Sequence, residues 1–215
     1  MIDLHTHSLF SDGELVPSEL ARRAGAIGIT ALAITDHVDY SNYDTTIAGL
    51  TRFCQQYTGS PVTVIPGVEI THAPPWQIKK LVKLCRAAGA KVVVVHGETV
   101  VEPVEPGTNR AAIEAGVDIL AHPGLITDDD ATLAAEKGVA LEISGRGGHS
   151  YTNGHVASVA RRRGAALVFN TDSHAPRDLM GDAMARIVAR GAGLSDEEVT
   201  AMFENSRMIV ERAIR

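Results

Sequence analysis

The feature that most constrains this chain is a series of short β-type segments, apolar almost throughout, separated by longer helical ones. KVVVVH (91–96) shows it best: four consecutive valines leave no polar face, so such a strand must be covered on both sides. Comparable runs are IDLH (2–5), ITALAIT (29–35), VTVIPGVEI (62–70), VDILAH (117–122), VALEIS (139–144) and ALVFNTD (166–172). Between them, PSELARRAGAIG, TTIAGLTRFCQQYTG, PWQIKKLVKLCRAAGA and ASVARRRGA repeat apolar residues every three or four positions, and several stop at glycine. Strand–helix–strand repetition with buried strands calls for parallel pairing through right-handed crossovers. Seven strands and seven helical segments suit a closed or nearly closed α/β barrel, a (β/α)7 arrangement, better than an open sheet. At 215 residues, one barrel domain over 1–215 is expected. Residues 195–215 should form one or two terminal helices packed on it, because Ser195 followed by Glu198 is a helix-start signature. VVEPVEPGT (100–108) reads as a loop over a strand end.

Composition narrows the function classes. The net charge is −6 with no block rich in lysine or arginine, which argues against a long nucleic-acid partner. A small phosphorylated substrate stays open, because bound cations make a pocket locally positive. Cys54 and Cys85 are far apart and fall in helical segments, so reduced, buried thiols are expected. No apolar run reaches the ~18 residues of a membrane span. A strand that starts at residue 2 leaves no room for a targeting peptide in this reading, and a cytoplasmic location follows as an expectation.

The polar residues fall at one end of the strands. The first run ends on His5 and His7 with Asp12 in its loop; the second ends on Asp36 and His37; the third on Glu69. The fourth and fifth end on His96 and His122, and the last on Asp172 and His174. Alternate residues of a strand share a face, so His5 and His7 point together. Strand ends are where (β/α) barrels build their active sites. Imidazoles and carboxylates gathered there are ligands for Zn²⁺, Mn²⁺ or Fe²⁺. Six histidines and three carboxylates exceed the needs of one ion, so two or three divalent metals are expected, with Glu69 free to bridge a pair.

DLHTHSLFSDG, AITDH, PGVE, VVVVHGE, LAHPG and NTDSHA, in this order and spacing, resemble the PHP (polymerase and histidinol phosphatase) superfamily from residue 1 to about 180. The resemblance implies a distorted (β/α)7 TIM-like barrel with a trinuclear metal site at the C-terminal ends of its strands. It implies His5, His7, Glu69 and Asp172 on one ion, and Glu69, His96 and His122 on a second. Asp12, His37 and His174 would hold the third; some relatives carry a histidine near the position of Asp12. Two ions side by side acidify a shared water and offset phosphoryl charge. Glu69, Asp172 and His174 are accordingly expected at the reacting centre.

Other residues are candidates for substrate contact. Arg146 and His149 lie in the loop SGRGGHS, Arg177 follows NTDSHA, and His72 follows Glu69. Asp3 and Asp36 are expected to accept imidazole N–H groups. Glu98 is read as a loop residue that could meet a cationic group, His155 as structural, and Arg161, Arg162 and Arg163 as a solvated helix end. The function expected is hydrolysis of a small phosphomonoester, histidinol phosphate or a similar metabolite. Nuclease action on short nucleic-acid ends and a non-catalytic RNA-binding or scaffold barrel are the alternatives.

Overall fold

A computed structural model describes residues 1–215. Its chain order is β1 (Ile2–Asp3), α1 (Pro17–Ala26), β2 (Ala31–Ile34), β3 (His37–Val38), α2 (Tyr43–Gln56), β4 (Thr63–Ile70), α3 (Pro75–Ala88) and β5 (Val92–His96). It continues α4 (Thr108–Ala115), β6 (Ile119–Ala121), α5 (Asp128–Lys137), β7 (Ala140–Ser144), α6 (Asn153–Arg163), β8 (Leu167–Asn170), α7 (Asp182–Gly191) and α8 (Asp196–Ala213). All strand pairs are parallel, in the order β1-β2-β4-β5-β6-β7-β8 with β3 also on β4.

The sheet curls until its first and last strands meet. Just beyond β1 and β8, Thr6 bridges Ser173 in parallel, the His7 amide donates to the Ser173 carbonyl at 2.8 Å, and the Asp172 amide donates to the His5 carbonyl at 2.9 Å. The result is a nearly closed, TIM-like barrel with its helices outside. Where seven strands were expected there are eight, because the second run is interrupted. Ile34 pairs with Pro66 and His37 with Glu69, so β2 and β3 keep one register along β4. The break at Thr35 and Asp36 has a cause: the Thr35 hydroxyl accepts the Thr6 amide at 3.1 Å, and Asp36 turns to accept the Ser8 amide at 2.8 Å.

Strand parity sorts the side chains. Val68 and Ile70 of β4, Val93 and Val95 of β5, Leu141 and Ile143 of β7 and Phe169 of β8 face the helices, in a cluster of 33 buried residues. Ile65, Val92, Val94, Ala140 and Val168 face inward, joined by Leu4, Ala31, Ala33, Ile119 and Ala121. The N-terminal end of the barrel is stoppered by Ile209, Val210 and Ala213 of α8, which pack into the same inner cluster. Residues 195–215 thus form one terminal helix, started by a reciprocal cap in which Ser195 Oγ accepts the Glu198 amide and Glu198 accepts the Ser195 amide. No helix is long and apolar enough to cross a membrane. A cleft of about 420 Å³ lies beside α8, but no imidazole lines it.

Candidate metal centre

Continuing the inward parity one step beyond the apolar layer reaches Glu69, His96, Glu142 and Asn170, so the barrel's inside changes from aliphatic to ionisable near the strand ends. His5, His7, Glu69 and Asp172 are all buried there. Glu69 Oε1 is 3.3 Å from His5 Nε2 and 3.6 Å from His122 Nε2, and Oε2 is 2.7 Å from His37 Nδ1. Asp172 Oδ1 is 3.1 Å from His7 Nε2, while Oδ2 is 3.7 Å from both His122 Nε2 and His149 Nε2. Both carboxylates therefore stand between neighbouring groups of imidazoles. Nearer the surface, His174 Nε2 and His37 Nε2 lie 3.2 and 3.4 Å from Asp12 Oδ1.

The buried nitrogens His5 Nε2, His7 Nε2 and His122 Nε2 and the oxygen Glu69 Oε1 have no hydrogen-bond partner. Such groups are costly to bury unless a cation completes them. Five overlapping donor groups, each with ligand atoms within 4.8 Å of one another, fit ions: His7 with Asp12, His37 and His174; His96 with His122 and His149; His5 with Glu69 and His122; His5 with His7 and Asp172; and His72 with His96 and Glu102. Each contains imidazole nitrogen, alone or with carboxylate oxygen, a set suited to Zn²⁺, Mn²⁺ or Fe²⁺.

The electrostatics agree. Burial alone would raise the Glu69 carboxyl, but the imidazoles of His5, His37 and His96 outweigh it and hold it well below the usual carboxylate range. Asp172 is likewise held low against the effect of burial, chiefly by His5 and His7. Burial pushes His7 down to about 3, with His37 and His5 adding repulsion. His37 goes the other way, to about 10, because Glu69 and Asp12 overcome its burial.

Local backbone serves these positions. His122 and Asp172, just beyond β6 and β8, have φ of 26° and 52°, in the left-handed region that costs a non-glycine residue about 1–3 kcal/mol. A Cβ on Gly13 would sit 2.5 Å from the His7 carbonyl oxygen, so a side chain there would lift the loop that carries Asp12.

The nine expected ligands are thus brought together. The expected substrate contacts divide. Arg146 lines a pocket of about 120 Å³ with Asp12, His37, Thr71, His96, Glu102, His149, Asp172 and His174, and donates to the Asp172 carbonyl at 3.0 Å. His149 is buried in the cluster, its ring stacked on His122 with centroids 4.0 Å apart. His72 stands at the rim, 3.1 Å from Glu102, whereas Arg177 is exposed and pairs with Glu14, away from the pocket. Asp3 and Asp36 do not receive imidazole N–H groups. Asp3 accepts the Thr171 hydroxyl at 2.5 Å, Asp36 accepts Ser8 and Ser11, and both tie loops to the barrel. Glu98 accepts the Gly107 and Asn109 amides at the start of α4, and His155 Nε2 meets the Ile126 carbonyl. Arg161 pairs with Glu198, and Arg162 and Arg163 with Asp128.

Two acids escaped the sequence reading. Glu142, buried in β7, lies 2.8 Å from His5 Nδ1; as acceptor it fixes the proton there and leaves the Nε2 lone pair toward Glu69. Its signal was visible: a carboxylate inside VALEIS, at the same parity as Ala140. Glu102, in the loop before α4, lies 3.1 Å from His96 Nε2 and gave no such signal.

Comparison with known proteins follows the same lines. The PHP domain family model matches residues 3–97, the segment from β1 to the end of β5. An uncharacterized protein of Methanocaldococcus jannaschii, MJ1295, is 50% identical over 200 residues, covering 92% of each chain. A 5'-3' exoribonuclease of Haemophilus influenzae is 42% identical over 69 residues, 32% of this chain and 23% of the relative. Among solved structures, a chain of archaeal ribonuclease P with mature tRNA superposes with a TM-score of 0.74 at 18% identity, covering 99% of this chain and 91% of that one. Histidinol phosphate phosphatase of Lactococcus lactis, solved with zinc, L-histidinol and phosphate, gives 0.61 at 17% identity, covering 90% and 94%. At these identities the two structures establish the shared barrel alone. With the donor-bearing strand ends falling where the family model matches and continuing through β6 and β8, the chain belongs to the PHP domain family.

Proposed function

We propose that the protein is a metal-dependent phosphoesterase that hydrolyses a small phosphomonoester, histidinol phosphate or a metabolite of similar size. The observation that carries this reading is the set of unpartnered, buried ligand atoms of His5, His7, Glu69 and His122 from separate strand ends, each residue within 4 Å of Asp172 or His37 in the lining of one small pocket. Divalent ions held there would supply an acidified water and neutralise phosphoryl oxygens. Arg146 is the one permanently charged cation lining the pocket and serves to grip a phosphoryl oxygen. Glu69 and Asp172, both held ionised by the surrounding imidazoles, would hold the ions between neighbouring groups of histidines. His174, with Asp12 and His37, marks the side from which the ester enters, since Asp12 is the most exposed of the nine expected ligands. Neither cysteine is used: Cys54 and Cys85 are pushed up to about 12 by burial and lie on helices outside the barrel.

A second reading, cleavage at the end of a short oligonucleotide, is favoured by the 69-residue match to the exoribonuclease and by two exposed aromatic side chains. Trp76 at the start of α3 is 73% exposed and Tyr151 ahead of α6 is 77% exposed, and both offer surfaces on which bases stack. The experiment is a panel of phosphomonoesters and 5'-phosphorylated oligonucleotides, assayed with Mn²⁺ or Zn²⁺. Metal-dependent release of phosphate from small monoesters supports the first reading, nucleotide release from oligonucleotides the second, and neither would sink both.

A further inference from the structure

The group His96, His122 and His149 draws on a loop as well as strand ends. His149 comes from the short 3-10 turn His149–Thr152 after β7, and Glu102 from the loop between β5 and α4. The two loops pack on each other, with Val101 Cγ1 3.5 Å from where a Cβ on Gly148 would lie. His149 Nδ1 is 2.8 Å from Thr99 Oγ1; when it donates to that hydroxyl, the Nε2 lone pair faces His96 and His122. Glu102 Oε1 is 3.4 Å from His149 Nε2, and Oε2 is 3.1 Å from His96 Nε2. His122 Nε2, buried and without a hydrogen-bond partner, is aimed into the same space. His96 thus belongs both to the donor group with His122 and His149 and to one with His72 and Glu102.

We propose that Glu102 and His149 are further ligands of the ion held by His96 and His122, so that this ion is gripped by two loops in addition to the barrel. The proposal rests on the metal-dependent reading above. His72 is a positioning residue: its Nε2, 3.1 Å from Glu102 Oε2, holds the carboxylate over the pocket. The consequence is an order of metal affinity. The ion near Asp12, His37 and His174 has an exposed carboxylate and leaves first, whereas the loop-clamped ion stays.

The test compares metal retention, not turnover. Zinc-loaded wild-type protein, Glu102→Gln, Glu102→Asp, His149→Gln and a control His96→Gln are dialysed against graded chelator, and bound zinc is counted. Circular dichroism checks that each variant is folded, and Glu102→Gln preserves shape on a half-exposed side chain. We expect Glu102→Gln and His149→Gln to lose one equivalent at chelator concentrations lower by about 10–100-fold, with Glu102→Asp in between. The visible spectrum of the Co²⁺-loaded protein should also change in both variants, which a merely structural role would not bring about. Retention equal to wild type in both, while His96→Gln loses an equivalent, would overturn the proposal alone. Wild-type protein that binds no zinc would overturn it together with the metal-dependent reading.

Discussion

At the scale of single residues, the site depends on groups that orient ligands as much as on the ligands. His5 can offer its Nε2 lone pair only while Nδ1 keeps its proton, and Glu142 at 2.8 Å is what keeps it there. Glu142→Gln should weaken metal binding by about 10–100-fold with little change in Tm, because the amide can take up the same space but turns its acceptor against no fixed charge. Direct titration with zinc checks this, and unchanged affinity would remove Glu142 from the site. Eight of the nine expected ligands stood out because they lie at the ends of apolar runs, where a charged side chain has no other reason to recur, whereas Asp12 lies in the loop after the first run. Asp3 and Asp36 look similar in sequence, yet they bond hydroxyls and amides, since adjacency to a histidine does not set the direction of a side chain. Glu102 was illegible because its loop reaches His96 only through a packed path that periodicity does not describe.

At the scale of elements, parity along the strands divides the barrel into an aliphatic end and an ionisable end. The helix α8 closes the aliphatic end, with Ile209 only 4% exposed among Leu4, Ile65 and Val168. Ile209→Ala should cost about 2–5 kcal/mol and lower Tm, while metal stoichiometry stays at the wild-type value because the metal groups lie at the opposite end. A loss of metal on this substitution would mean that the two ends are not separable. The runs of valine and isoleucine made the alternation and the barrel legible. The break of one strand into β2 and β3 was not, because it arises from Thr35 and Asp36 bonding across to the β1 loop, a contact between distant segments.

At the scale of the whole molecule, the site is a concentrated store of coupled charge that the metal-free protein must tolerate. His7 and His149 are both held down to about 3, His149 by burial and by His122, against an ordinary value of 6.5. A depressed histidine contributes stability that is complete above about 6.5 and is lost as the pH falls toward 3. Asp3, raised to about 6 by burial, and Asp36, raised for the same reason, oppose this above 3.8. Asp12, Glu69 and Asp172, all held low, add to the loss on the acid side. The metal-free protein should therefore show a falling Tm from pH 6.5 to 3 in a scanning-calorimetry series, and a flat profile would contradict the assigned burial of His7 and His149.

The central claim is that Glu69 links neighbouring metal groups in a hydrolytic centre, and one paired measurement meets it directly. Bound metal and phosphomonoester hydrolysis are determined on Mn²⁺-loaded wild-type protein and on Glu69→Gln, both folded by circular dichroism. The predicted result is two or more ions on the wild type, with loss of at least one in the variant and a fall in turnover on the order of a thousandfold or more. Near-normal turnover with an unchanged metal count in Glu69→Gln would contradict it.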